Sequence, residues 1–179
     1  MTRFTILAVC TANICRSPVI EILLRDRLPS DRFEVGSAGI QGWREAPVDS
    51  MVSLELARLG ARADGFSSRT LQEHMVDGAD LVLTATRDHR ADLLGRYPSA
   101  LRKTFTLREF AALIRESVAR TPAELVNDAY RRRSEAPADV DLPDPFRGPP
   151  AVHRAVADLI VEAVDVVAER LAGAGTAAE

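Results

Sequence analysis

Hydrophobic and polar positions alternate along the chain in blocks that predict strands and helices in turn. Phe4 to Val9 is a short apolar run rich in strand formers, and it stops at Cys10-Thr11-Ala12-Asn13-Ile14-Cys15-Arg16-Ser17-Pro18. Val19, Ile20, Leu23, Leu24 and Leu28 then recur at helical spacing, with Ser17 as expected N-cap and Pro18 as first helical residue. Arg32 to Gly36 predicts a second strand running into Ser37-Ala38-Gly39, and apolar spacing over 48–59 predicts a helix ended by Gly60. Leu81-Val82-Leu83-Thr84 reads as a buried strand followed by a polar helix over 87–94. Thr104 to Leu107 predicts a fourth strand, with a helix over 108–118 and another from Pro122 to the arginine triplet 131–133. Residues 134–150 are full of Pro, Asp and Gly and predict a loop, and residues 151–171 form an amphipathic helix. Strands alternating with helices imply one α/β domain with a four-stranded parallel sheet and helices on both faces. Its expected extent is 1–172, with a frayed tail over 173–179.

Composition narrows the classes without changing this picture. The chain has 179 residues, 46% hydrophobic and 27% charged, which excludes disorder-prone and collagen-like classes. The first apolar stretch is too short for a signal-peptide core, and no run reaches the length of a membrane helix. With 23 basic against 26 acidic residues and net charge −3, a nucleic-acid partner is not expected. Only Lys103 is lysine; the triplet Arg131-Arg132-Arg133 is expected to be a solvated helix end. Two cysteines cannot build a disulfide scaffold, so a reduced, cytoplasmic protein is expected.

The loop from Cys10 to Ser17 carries the chemistry. Ligand sites in open parallel sheets lie beyond the carboxyl ends of the strands, where this loop falls. A loop turning into a helix offers successive N–H groups and the positive end of a dipole, which suits a phosphate-like dianion. Arg16 adds a planar fork for two oxygens at once, and Cys10 at the base of the same cup is the candidate nucleophile. The string Cys-Thr-Ala-Asn-Ile-Cys-Arg-Ser-Pro, between a strand and a helix start, is far more specific than Cys-x5-Arg alone.

This string resembles the signature of the low-molecular-weight protein tyrosine phosphatases: Cys10, Asn13, Ile14, Cys15, Arg16, Ser17 and Pro18 all match. The resemblance continues at Ser37-Ala38-Gly39, at Trp43, and at Asp144-Pro145-Phe146 with Gly148, and covers most of the chain; it points to a bacterial, actinobacterial-type member. It implies hydrolysis of phosphotyrosine through a cysteinyl-phosphate on Cys10, with Arg16 and the amides of Thr11, Ala12, Asn13, Ile14 and Cys15 holding the phosphoryl oxygens. Asp144, rather than Asp141, is the implied acid. Ser17 is implied to donate to the Cys10 sulfur, Asn13, Ser17 and Ser37 to support the loop, and Trp43 and Phe146 to wall the substrate cleft. Cys15 is either a partner for an oxidised Cys10 or a small core residue.

The same resemblance implies no cofactor and no metal, His74, His89 and His153 showing no ligand-like spacing. It implies as partners a phosphotyrosine protein, a bacterial tyrosine kinase among them, and a phosphate-like oxyanion. No membrane partner is expected, and the chain is expected to be a monomer. Three departures stand out: Phe66 where many relatives carry a loop-supporting His, Arg147 where many carry a second aromatic, and Thr84-Ala85-Thr86-Arg87-Asp88 in place of Met-Asp after the third strand. The alternatives are an arsenate reductase using an external thiol, a small-molecule phosphatase, a protein-arginine phosphatase (relatives of that kind tend to carry Thr at the place of Ile14), and a non-catalytic phosphotyrosine-binding module.

Overall fold

A computed structural model describes residues 3–175. Four parallel strands, β1 (Phe4–Cys10), β2 (Phe33–Gly39), β3 (Leu81–Thr84) and β4 (Thr104–Thr106), form one sheet in the order β2-β1-β3-β4. Among the described residues seven α-helices surround it: α1 (Arg16–Arg27), α2 (Ser50–Arg58), α3 (Glu73–Gly78), α4 (Arg87–Arg96), α5 (Leu107–Ile114), α6 (Pro122–Arg131) and α7 (Pro150–Gly173). The expected fold class is the observed one. No helix among the described residues is long and apolar enough to cross a membrane.

Strand alternation divides the core in two. Ile6, Ala8 and Cys10 point to the larger cluster, with Leu23 and Leu24 of α1, Phe110 of α5 and Val164 and Val167 of α7. Leu7 and Val9 point to the smaller one, with Val76 of α3 and Leu93 of α4. Cys10 therefore emerges at the carboxyl end of a central strand, on the α1 side. The register pairs Cys10 with Gly39 on β2 and Val9 with Thr84 on β3, so the loops after three strands meet at one edge.

Several elements differ from expectation for identifiable reasons. α1 begins at Arg16, with Cys15 rather than Ser17 at the cap position, because the Ser17 hydroxyl is engaged by Cys10 and Asn13. Pro18 still lies in the first turn, where its missing N–H costs nothing. α5 stops at Ile114, four residues early; Val118, which prolonged the apolar pattern, is 94% exposed. Arg133 is not a solvated helix end. Its guanidinium lies 4.3 Å over the Phe105 ring, bonds the Thr104 carbonyl at 2.6 Å and faces Glu109 at 3.5 Å. At the end of α7 Arg32 donates to the carbonyls of Ala172 and Ala174, and Ala174 is buried. Of the tail expected to fray, 176–179 lies outside the described residues.

Candidate active site

The loop after β1 is built inside out. The carbonyls of Cys10, Thr11, Ala12 and Ile14 accept from the amides of Ile40, Gln41, Trp43 and Asp49 at 2.9–3.3 Å. Among the described residues no acceptor takes the amides of Ala12 to Cys15. With the carbonyls turned outward, the donors of this loop are left for the cup. Gly39 lets the backbones come this close, since a Cβ there would lie 2.7 Å from the Thr11 carbonyl oxygen and 2.9 Å from Asn13 N. Asn13 has φ 59°, a left-handed conformation that asparagine tolerates better than most residues.

The Asn13 side chain uses both of its N–H donors and its carbonyl oxygen to hold the loop. Its Nδ2 donates to Ser17 Oγ at 2.9 Å and Ser37 Oγ at 2.7 Å, and its Oδ1 accepts from the Arg69 amide at 2.8 Å. Because Ser17 Oγ accepts from Asn13, its own proton is available to the Cys10 sulfur, 3.0 Å away. Ser37 Oγ donates a hydrogen bond to the buried Glu21 carboxylate, which Arg25 pairs from outside at 2.6 Å. Phe66 takes no part and lines a separate surface cavity with Glu21 and Arg25. Where the resemblance implied a loop-supporting histidine, the Arg69 amide bonds Asn13 instead.

Arg16 is 5% exposed. Its Nη1 donates to the Leu142 carbonyl at 3.1 Å, its Nη2 lies 3.3 Å from Asp144 Oδ2, and its buried Nε has no hydrogen-bond partner among the described residues. Asp144 is largely exposed and faces this cup. Asp141 is turned away, accepting from the Arg87 amide at 2.8 Å at the start of α4. The 119–141 stretch ends by fastening this acid-bearing loop to the sheet: Val140 O accepts from Thr106 Oγ1, and Leu142 N donates to Ala85 O.

Cys10, Ile14, Cys15, Arg16, Asp144, Trp43 and Phe146 line a cavity of about 190 Å³ with Thr11 and Ala12. The Trp43 and Phe146 rings meet edge to face at 6.4 Å, forming an apolar rim. Arg147, also left-handed at φ 60°, lays its guanidinium 5.1 Å over Phe146. Such an arrangement can hold a tetrahedral oxyanion on amides and a guanidinium, next to a free thiol and a carboxyl, with room for a flat group beyond.

Cys15 is buried in the larger core cluster, and both thiols are free. Burial pushes its thiol up to about 12, with Asp49, Cys10 and Asp144 adding to the effect and Arg16 opposing it. At about pH 8 only some one part in 10⁴ would be thiolate, and the thiolate is the reactive form. Iodoacetamide treatment of the folded protein is therefore expected to leave Cys15 unmodified in peptide mapping. Labelling as fast as in denatured protein would contradict this environment.

Sequence reasoning passed over His89. Buried on α4, it places Nε2 2.8 Å from Thr11 Oγ1 of the loop and Nδ1 2.8 Å from Thr86 Oγ1. Only its position three residues after an N-cap threonine was visible in the sequence; the partner Thr11 is 78 residues away. Among the described residues no group of three or more His, Cys, Asp or Glu is placed to hold a metal.

A parallel sheet whose first loop is an oxyanion cup with a cysteine at its base and an arginine at its wall defines a phosphate-handling protein of the cysteine-dependent class. The model of the family described as low molecular weight phosphotyrosine protein phosphatase matches residues 5–135, and the chain belongs to that family. A protein-arginine-phosphatase of Geobacillus stearothermophilus is 33% identical over 169 residues, 94% of this chain and 96% of the relative. The low molecular weight protein-tyrosine-phosphatase Etp of Escherichia coli K12 is 39% identical over 100 residues, 56% of this chain and 66% of the relative. Among solved structures, Vibrio vulnificus Wzb in complex with benzylphosphonate superposes with TM-score 0.74 at 25% identity, covering 95% of this chain and all of that one.

Proposed function

We propose that the protein is a metal-independent protein-tyrosine phosphatase. One observation supports this reading above the others: the amides of Ala12 to Cys15 and the buried Nε of Arg16 have no acceptor among the described residues, and Cys10, Ala12, Ile14, Cys15 and Arg16 line one cavity. Buried donors without acceptors are costly, and a phosphoryl dianion supplies several acceptors at once.

In the proposed reaction the Cys10 thiolate attacks phosphorus in line, forming the S–P bond as the bond to the tyrosine oxygen breaks. Asp144 gives its proton to that oxygen. Water then attacks phosphorus, Asp144 takes up a proton from it, and the S–P bond breaks to release phosphate and the thiolate. Arg16 and the loop amides hold the equatorial oxygens throughout, while Ser17 donates to the sulfur and Asn13 and Ser37 fix the loop. Ile14, Trp43 and Phe146 favour an aromatic leaving group. The substrate is then a phosphotyrosine protein, such as a tyrosine kinase, met by a single copy of this chain. A reducing cytoplasm suits a nucleophilic thiol.

A second reading, dephosphorylation of phosphoarginine, is favoured by the name of the Geobacillus relative, similar over nearly the whole chain. Phosphotyrosine, phosphoarginine and phosphoserine peptides assayed side by side, with arsenate reduction in parallel, separate the two. The expected result is a kcat/KM for phosphotyrosine at least about tenfold above phosphoarginine, since a pocket with an apolar Ile14 discriminates by the fit of the leaving group. A preference for phosphoarginine would replace the first reading with the second. No turnover of aryl phosphate by the reduced protein would sink it.

A further inference from the structure

We infer that His89 is a positioning residue that turns the Thr11 hydroxyl proton toward the oxyanion bound in the loop. The inference rests on the reading of that loop as a phosphate cup and adds a donor to it.

The argument is a hydrogen-bond count. Thr86 Oγ1 accepts from the His89 amide at 3.2 Å, as the N-cap of α4, and also lies 2.8 Å from His89 Nδ1. If Nδ1 carried the ring proton, Thr86 Oγ1 would accept twice and its own proton would have no acceptor among the described residues, whereas the other tautomer leaves over the proton of Thr11, which an oxyanion in the loop can accept. If Nδ1 is the bare nitrogen, the Thr86 hydroxyl donates to it and both roles of that hydroxyl are used. The ring proton then sits on Nε2 and is donated to Thr11 Oγ1, 2.8 Å away. Thr11 thus accepts from the ring, and its own proton is left over.

That proton has one useful direction. Thr11 lines the cavity that holds Cys10, and it also lines a neighbouring cavity of about 430 Å³ with Arg16, Thr86, His89, Asp92 and Asp144. An oxyanion on Arg16 and the loop amides lies next to the hydroxyl, which becomes one more neutral donor. The same relay requires a neutral ring. Burial, and next the Arg16 charge, push His89 down from its ordinary value, against opposing pulls from Asp144, Asp92 and Asp88.

Two measurements test this. The first needs no variant: long-range proton–nitrogen correlation spectra of 15N-labelled protein with inorganic phosphate bound, the His89 signals being those lost in His89→Gln. The expected signature is a neutral ring protonated at Nε2; a ring protonated at Nδ1, or doubly protonated at neutral pH, overturns the inference. The second is a double-mutant cycle on Thr11→Val and His89→Phe, with kcat and KM on an aryl phosphate and the inhibition constant of inorganic phosphate as readouts. Each single change is expected to lower kcat and weaken phosphate binding by about tenfold, the scale of one neutral hydrogen bond, and the double change to cost no more than either alone.

His89→Gln, whose amide N–H can occupy the place of Nε2, is expected to restore most of the loss. Additive losses, or a silent Thr11→Val, would leave His89 only a packing role and overturn the inference. Thermal melts identify a variant that fails to fold, in which case the ring signature and His89→Gln decide. Phosphate affinity and ring state report on the relay even if phosphotyrosine proves to be the wrong substrate.

Discussion

Cys10→Ser is expected to abolish turnover of every phosphomonoester while leaving the cup able to bind phosphate. A hydroxyl in place of the thiol is nearly the same size, and the donors that hold the anion belong to other groups: the amides of Ala12 to Cys15 and the Arg16 guanidinium. A serine hydroxyl stays protonated at neutral pH, and among the described residues no base contacts Cys10 to take its proton; Ser17 is the neighbour at 3.0 Å. The loss should reach at least about 10⁴-fold in kcat, in the range seen when a nucleophile is removed from an otherwise intact site. Calorimetric titration with inorganic phosphate should show affinity within a few-fold of the unchanged protein. Residual activity near the original level would mean that another group attacks phosphorus.

Asp144→Asn is expected to produce a loss that depends on the leaving group. An acid accelerates departure most when the departing oxygen is basic, so phosphotyrosine and phenyl phosphate should suffer about 10² to 10³-fold in kcat, and nitrophenyl phosphate far less. The asparagine preserves the size of the group and the exposed setting next to Arg16, so binding should change little. Asp141→Asn is the natural comparison. Its carboxylate caps the start of α4 through the Arg87 amide, so its replacement should lower stability rather than leaving-group sensitivity. Equal losses across leaving groups for Asp144→Asn would remove it from the acid role.

How much of this was legible in the sequence depended on whether the signal was local. The switch from a strand-like run to helical spacing across Cys10–Pro18 placed β1, the loop and α1 with little error, because all three are written in consecutive residues. β3 was equally plain, four apolar or β-branched residues, all buried. α3 was missed because six residues with only Val76 buried carry no period. The start of α1 was misplaced for a chemical reason: Ser17 is a cap-type residue, but its hydroxyl is taken by Cys10 and Asn13. Arg133 was misread because Phe105, whose ring it covers, and Glu109, which it faces, are brought to it by tertiary packing. His89 shows the same limit within the site. A motif names residues joined by sequence, whereas the contact from α4 to Thr11 exists only once β1 and β3 lie side by side.

Gly39 extends that point from function to folding. Its lack of a side chain is what allows β2 to press against the Thr11–Asn13 backbone, and the pairing of Cys10 with Gly39 is set by the register of two parallel strands. A slip of one residue would bring Ala38 opposite the loop, with a methyl where there is no space, and would turn the buried face of β2 outward. A chain mispaired in this way could keep most of its secondary structure and still lack an oxyanion cup. Catalytic competence in this protein is thus a report on strand registration, acquired in the same event that closes the sheet.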